Sequence, residues 1–162
     1  MKKRYAALAM LICVTVISLC GCFLSSDKEF SKAGMTITLT SKFVEKELVT
    51  QTAYYESTTS IVTVLKEPFS TVAGFGDYTL EEYTNAVLKA NKLNSQITKY
   101  DDKDYYSFSY EKDVNGKDFY YFATTFKASD AFWLIQFACT TSNKDKFQDN
   151  FIKWADSVTF AE

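Results

Sequence analysis

The first 21 residues limit what this chain can fold into, because they form a basic and apolar leader rather than part of a globular core. Positions 2–4 are all basic, and residues 5–19 are apolar or small except for Thr15 and Ser18. This stretch is shorter than the roughly 20 apolar residues that a membrane-spanning helix needs. It is typical of the apolar region of a secretory signal peptide, so we expect residues 1–21 to be removed and the rest exported.

The last three residues of the leader and the residue after it form the sequence Leu19-Cys20-Gly21-Cys22, which resembles the lipobox of bacterial lipoproteins. The resemblance implies cleavage between Gly21 and Cys22 and a lipid on Cys22. At about 0.8 kcal/mol per buried CH₂, two or more long acyl chains give lasting membrane attachment. We therefore expect a lipid-anchored protein on the extracytoplasmic face of a bacterial cell membrane. Residues 22–30 would be the lipidated cysteine and a polar tether, and residues 31–162 a single globular domain.

Length and charge exclude several classes of protein. Removing 21 residues from 162 leaves 141, which is a common size for one domain. The chain has 18 Lys and Arg against 20 Asp and Glu, and the leader contains three of the basic residues and no acidic one. The remainder therefore has five more acidic than basic residues. Such a domain has little electrostatic attraction for nucleic acid, so we expect no nucleic-acid partner.

The cysteine and histidine content restricts the possible chemistry further. Cys13 and Cys20 lie in the leader and Cys22 is the expected lipid site, which leaves Cys139 as a single thiol. One thiol cannot form an internal disulfide, and its apolar surroundings favour a buried, unreactive cysteine. The chain has no histidine. Triads that need histidine and most zinc or copper sites are therefore excluded, and we expect neither a metal site nor a cofactor.

Period-two alternation predicts the strands, and two sequence signals predict the turns. Pro68, the only proline, is predicted to end one strand, and Asn115-Gly116 predicts a tight hairpin between two others. The predicted strands are 35–39, 51–57, 60–67, 105–111, 119–127 and 131–140.

Two helices are predicted from capping signals followed by helical spacing of apolar residues. Thr79 and Glu82 fit a capping box, which places a helix over residues 80–92. Ser142 to Asp145 offers a second capping signal, with Asp in place of the usual Glu, before a helix over residues 143–157. The order of strands, helix, strands and helix predicts an α+β fold, in which helices flank a mainly antiparallel sheet.

Several stretches resemble the PsbP-like fold, which is named after an extrinsic protein of photosystem II. They are 34–39 with Phe43, 65–67, 79–83 and 154–160. The resemblance implies an α/β/α sandwich with a central antiparallel sheet, and it leaves the role of the chain open.

Tyrosines crowd the predicted strands and offer one candidate binding surface. Exposed aromatic faces stack on sugars and grip peptides. Alternatively, one ring of each adjacent pair packs in the core while the other shields the outer face. The residues concerned are Tyr54, Tyr55, Tyr105, Tyr106, Tyr110, Tyr120 and Tyr121.

Acidic residues offer two further kinds of candidate site, a calcium site and a catalytic carboxyl pair. The clusters 101–104 and 113–118 could supply oxygens to Ca²⁺, but they lack the spacing of an EF-hand and also read as ordinary polar turns. Glycoside hydrolysis needs two carboxyl groups that face each other across a cleft. No spacing singles out such a pair among Glu67, Glu81, Glu82 and Glu111.

The sequence therefore predicts a non-enzymatic, lipid-anchored domain that binds an envelope protein or a small ligand through its sheet edge or aromatic face. Two alternatives stay open. One is a weak hydrolase of envelope polymers that uses carboxylates, and the other is an accessory subunit of a larger membrane complex.

Overall fold

The computed structural model describes residues 26–71 and 73–161. The leader, Gly21 and Cys22 lie outside the described residues. Within them the chain forms ten strands and two α-helices, and all strand pairs are antiparallel. The strands are β1 (Asp27–Lys32), β2 (Met35–Thr40), β3 (Val44–Lys46), β4 (Ala53–Glu56), β5 (Ser60–Pro68), β6 (Thr98–Lys99), β7 (Tyr105–Val114), β8 (Lys117–Lys127), β9 (Ala131–Thr140) and β10 (Thr159–Phe160). The helices are α1 (Leu80–Ala90) and α2 (Lys144–Asp156).

The strands form two sheets. The larger has seven strands in the order β3-β4-β5-β9-β8-β7-β6, and the smaller has the order β1-β2-β10. Helix α1 packs on one face of the large sheet, where Tyr83 stacks on Phe132 with ring centroids 4.3 Å apart. Helix α2 and the small sheet cover the opposite face, where Phe151 and Trp154 enter the main core. The architecture confirms the predicted α+β fold with helices on both faces of an antiparallel sheet.

The long predicted elements are confirmed, together with the boundary signals at Pro68, at Asn115-Gly116 and at the start of α1. Pro68 is the last residue of β5, and Asn115 and Gly116 both have positive φ in the β7–β8 hairpin. The capping box of α1 is complete: the Thr79 hydroxyl accepts the Glu82 N–H at 3.2 Å, and the Glu82 carboxylate accepts the Thr79 N–H at 2.8 Å.

Two predictions were wrong. Residues 27–30, assigned to the tether, belong to β1, which pairs with β2 from Asp27 to Lys32. Phe30 is the one buried residue of this strand, and its ring packs against Tyr55 with centroids 4.9 Å apart. Because only one residue is buried, the sequence of β1 shows no alternation of apolar and polar residues. The second capping signal is also not used, because residues 141–143 form a 3₁₀ turn and the Ser142 hydroxyl bonds to Thr140 instead.

Candidate functional site

Helix α1 covers only part of its face of the large sheet. Beneath it lie Phe108, Ala123, Phe132 and Leu134, all of which are buried. Towards the Asn115-Gly116 hairpin and the β4–β5 turn, the same face carries side chains that keep part of their surface in solvent. We call this region the tyrosine face, and it consists of Tyr54, Ile61, Tyr110, Phe119, Tyr121 and Gln136.

Strand register brings the tyrosine face together from five strands. Glu56, Ile61, Ala138, Tyr121 and Tyr110 are paired in one row across β4, β5, β9, β8 and β7. Ala138 is small and buried in the middle of this row. Ala138 is therefore covered by its neighbours and adds almost no surface to the tyrosine face.

The rings of the tyrosine face contact one another. Tyr110 and Tyr121 are parallel within 3°, with centroids 4.7 Å apart, and Phe108 flanks Tyr110 on its own strand at 6.3 Å. The Tyr54 hydroxyl donates to Glu56 at 3.3 Å, and Glu56 also pairs with Lys46. The surface therefore combines packed aromatic rings with several hydroxyl groups.

The tyrosine hydroxyls of this face stay protonated at neutral pH. Burial raises the pKa of Tyr110 to about 12, and the Tyr121 hydroxyl adds to the rise. Burial also raises the pKa of Tyr121, and burial followed by the Glu56 carboxylate raises that of Tyr54. The hydroxyls of Tyr110 and Tyr121 can therefore donate a hydrogen bond to a bound partner, whereas the Tyr54 hydroxyl donates to Glu56.

The adjacent tyrosine pairs are divided between core and surface. Tyr55, Tyr105 and Tyr120 are buried, and their neighbours are only partly so. One ring of each pair thus packs inside, as one interpretation of the sequence held. The outer rings of two pairs, Tyr54 and Tyr121, nevertheless contribute to the tyrosine face.

A second concave surface lies at the end of the large sheet where β7 begins and β8 ends. It is an open groove of about 960 Å³, which we call the β10 groove because Val158, Thr159 and Phe160 form one wall. The remaining lining residues are Leu80, Lys99, Asp102, Lys103, Asp104, Tyr105, Tyr106, Phe126, Lys127, Ala155 and Asp156.

One cluster in the β10 groove fastens α2 to the sheet. Asp156 at the end of α2 accepts hydrogen bonds from the Tyr105 hydroxyl at 2.7 Å and from Lys103 at 2.6 Å. Burial, followed by the Asp156 hydrogen bond, raises the pKa of Tyr105. These three groups satisfy one another, which is the arrangement expected of a structural contact.

The acidic clusters lie in turns. Asp102 and Asp104 are on the rim of the β10 groove, and Asp113 accepts the Gly116 N–H at 3.2 Å in the β7–β8 hairpin. In the described ranges, no group of three or more Asp, Glu, Cys or His side chains is placed to hold a metal ion.

Three of the four candidate glutamates make bonds that hold helices in place. Glu67 accepts a 2.5 Å hydrogen bond from the buried Tyr83 of α1, and Glu82 closes the capping box. Glu111 lies 3.6 Å from Lys144 at the start of α2. No observation brings two of these carboxyl groups together across a cleft.

Cys139 is the free cysteine of the described chain, and it lies buried on β9. Burial raises the pKa of its thiol to about 11. The thiol is therefore protonated and poorly nucleophilic at neutral pH.

Solved structures share this architecture. Cyanobacterial PsbP (CyanoP) from Synechocystis sp. PCC 6803 matches with a TM-score of 0.52 and 11% identity, over 90% of this chain and 98% of that chain. A protein of Bacteroides thetaiotaomicron matches with a TM-score of 0.60 and 13% identity, over 83% of this chain and 48% of its own. The Ran-binding protein Mog1p of Saccharomyces cerevisiae matches with a TM-score of 0.56 and 11% identity, over 85% and 97%.

These comparisons define the class of fold. The chain has the PsbP-like fold that the sequence resemblance implied, which Mog1p shares. No protein-family model and no curated protein matches the sequence. None of the helices in residues 26–71 and 73–161 is both long and apolar enough to cross a bilayer.

Proposed function

We propose that this chain is a lipid-anchored, extracytoplasmic binding domain that holds a protein partner on its tyrosine face. The observation that carries the proposal is the part of the sheet that α1 leaves uncovered, where Tyr54, Tyr110 and Tyr121 present rings and hydroxyls together. Tyrosine is enriched at the energetic centres of protein interfaces, because a rigid ring buries much area while its hydroxyl makes a polar contact.

The packing of the rings favours a protein over a sugar as the occupant. A sugar stacks on an open aromatic face. The Tyr110 ring is instead stacked against Tyr121 of the neighbouring strand β8 and has Phe108 beside it on its own strand β7. The rings therefore offer mainly edges and hydroxyls to an incoming molecule. Ring edges, hydroxyls and the amide of Gln136 suit the mixed apolar and polar surface of a protein.

The lipid anchor belongs to the same proposal. Three residues separate Cys22 from Ser26, where the described chain begins, so the four steps between them span at most about 14 Å when fully extended. A lipid on Cys22 would thus hold the domain against the membrane and limit its partners to neighbouring envelope proteins. Because three of the four candidate glutamates serve as helix contacts and no two of the four face each other across a cleft, we propose binding rather than the hydrolase alternative.

The test places a photo-crosslinking amino acid at Tyr121 in the full chain inside its native cells. A covalent adduct to one defined protein is expected, because the partner must lie against this ring. The matched control carries the same amino acid at Tyr78, which is 44% exposed and lies outside the tyrosine face. An adduct at both positions, an adduct to glycan, or no adduct at Tyr121 would each contradict the proposal.

A further inference from the structure

Strand β10 has one free edge, and the hydrogen-bond pattern of the small sheet identifies which main-chain groups lie on it. The Ala161 N–H donates to the Gly34 carbonyl at 2.8 Å, and Phe160 is paired with Met35. Bonded and non-bonded pairs alternate along an antiparallel ladder. The Phe160 N–H and carbonyl therefore point away from β2.

The pairing of β2 with β1 on its other edge leads to the same assignment of the Phe160 backbone groups. The Ser41 N–H donates to the Ser26 carbonyl at 2.7 Å, so the same alternation makes Met35 a bonded partner of Lys32 on β1. Met35 consequently has no backbone groups left for Phe160. Within the described ranges, the Phe160 N–H and carbonyl make no hydrogen bond outside this ladder.

The free edge borders the β10 groove, whose lining combines charged side chains with the small exposed parts of Phe126 and Tyr105. Val158, Thr159 and Phe160 all line the groove. Phe126 lies 5.5 Å from Phe160 and 5.2 Å from Tyr105 between ring centroids. A strand laid along β10 would therefore have main-chain partners on one side and a mixed polar and aromatic surface beneath it.

The charges around the groove do not favour an ionic ligand. Three lysines and three aspartates line it, and two of these six, Lys103 and Asp156, are already paired. Lys127 donates to the carbonyls of Gly76 and Tyr78. A nucleotide, a lipid headgroup or a metal ion would find no excess of opposite charge.

We propose that the β10 groove binds an extended polypeptide segment that adds a strand to the free edge of β10. The Phe160 N–H and carbonyl supply the main-chain hydrogen bonds, and side chains of the segment lie against the mixed polar and aromatic lining of the groove. Strand addition of this kind takes affinity from main-chain bonds and specificity from pockets for alternate side chains. The proposal uses a surface separate from the tyrosine face and does not rest on the function proposed there.

The experiment selects a random dodecapeptide display library against the detergent-solubilised full chain and measures the affinity of the selected peptides. The test variant replaces Phe160 by its α-hydroxy acid, which removes one N–H and keeps the side chain. Loss of one such hydrogen bond should weaken binding about threefold to tenfold. The matched control is Asp149→Asn, which changes an exposed charge of α2 outside the groove lining and should alter affinity less than twofold.

Three further measurements test whether the peptide binds at β10, whether the ester variant is folded and whether the tyrosine face takes part in binding. Slower hydrogen exchange at the Phe160 amide on peptide binding supports the proposal, and unchanged near-ultraviolet circular dichroism shows that the ester variant is folded. Tyr121→Ala should leave peptide binding unchanged, which separates this proposal from the tyrosine face. Peptides that bind the ester variant as tightly as the natural chain, a larger effect of Asp149→Asn, or no selected peptide would each overturn it.

Discussion

At the scale of single residues, the capping box of α1 is the interaction that the sequence predicted best. It is local, because four consecutive residues contain both reciprocal hydrogen bonds. The Thr79→Ala variant should lower the free energy of unfolding by about 1 kcal/mol, since a helix N–H loses its acceptor. Chemical denaturation measures this loss, and Thr79→Ser is the control that retains the hydroxyl and most of the stability. Equal stability of all three proteins would show that the box is not formed.

The Thr79–Glu82 pair also makes part of the free energy of unfolding depend on pH. Hydrogen bonds from the Thr79 N–H and then from its hydroxyl hold the pKa of Glu82 below its ordinary value of 4.5. The unfolded chain therefore takes up a proton at a higher pH than the folded one. The contribution of this carboxylate is present above pH 4.5 and is lost as the pH falls through the lower folded pKa. The stability cost of Thr79→Ala, measured as above, should shrink over that acidic range.

At the scale of elements, length decided what could be predicted. Strands β5, β8 and β9 and both helices have 9 to 13 residues, and each repeats its apolar pattern often enough to be identified. Strands β3, β6 and β10 have only two or three residues. Such strands exist because distant segments pair with them. Local sequence carries no signal for that pairing.

Strand β1 gives a prediction that separates a strand from a tether. The ladder with β2 makes Lys28, Phe30 and Lys32 the bonded residues, while the N–H groups of Glu29 and Ser31 face the outer edge. Hydrogen exchange followed by NMR should therefore be slow at the first three amides and fast at the other two. Uniformly fast exchange over residues 27–32 would contradict the pairing of β1.

At the scale of the whole molecule, the fold could be inferred from the sequence but the two candidate surfaces could not. Tyr54 and Tyr121 lie 67 positions apart in the chain, and only the register of β4, β5, β9 and β8 brings them to one face. The free edge of β10 likewise depends on a pairing with β2, more than 120 residues earlier. Composition indicated the abundance of tyrosine and gave no information on which rings would stay uncovered.

Ser26, where the described chain begins, and Phe160 of the β10 groove lie at opposite ends of β2. Ser26 is bonded to Ser41 just beyond Thr40, whereas Phe160 is paired with Met35. The length of β2, about 17 Å at the usual rise of a strand, separates the two ends. A domain anchored at Cys22 would therefore have the groove at the end of this strand remote from its attachment point.

The anchor itself gives the last prediction. In the native host, mass spectrometry should find the amino terminus of the mature protein at Cys22 with acyl chains attached. Cys22→Ser should move the protein from the detergent phase to the aqueous phase, because the mutant lacks the thiol that accepts the lipid. Cys20→Ser, which changes a residue of the leader, is the matched control and should leave the protein in the detergent phase. An unmodified Cys22, or a product confined to the cytosol, would contradict lipid anchoring.

The small sheet unites the earliest and the latest strands of the described chain. One edge of β2 stays unpaired until β10 is present, and the core beneath the small sheet is incomplete without Phe151 and Trp154 of α2. A nascent chain that has emerged only as far as β9 therefore still exposes the aromatic side chains that α2 and β10 will cover. If the chain is exported as proposed, the domain should reach its stable form only after residues 144–160 have crossed the membrane, and until then those rings are available to chaperones of the envelope.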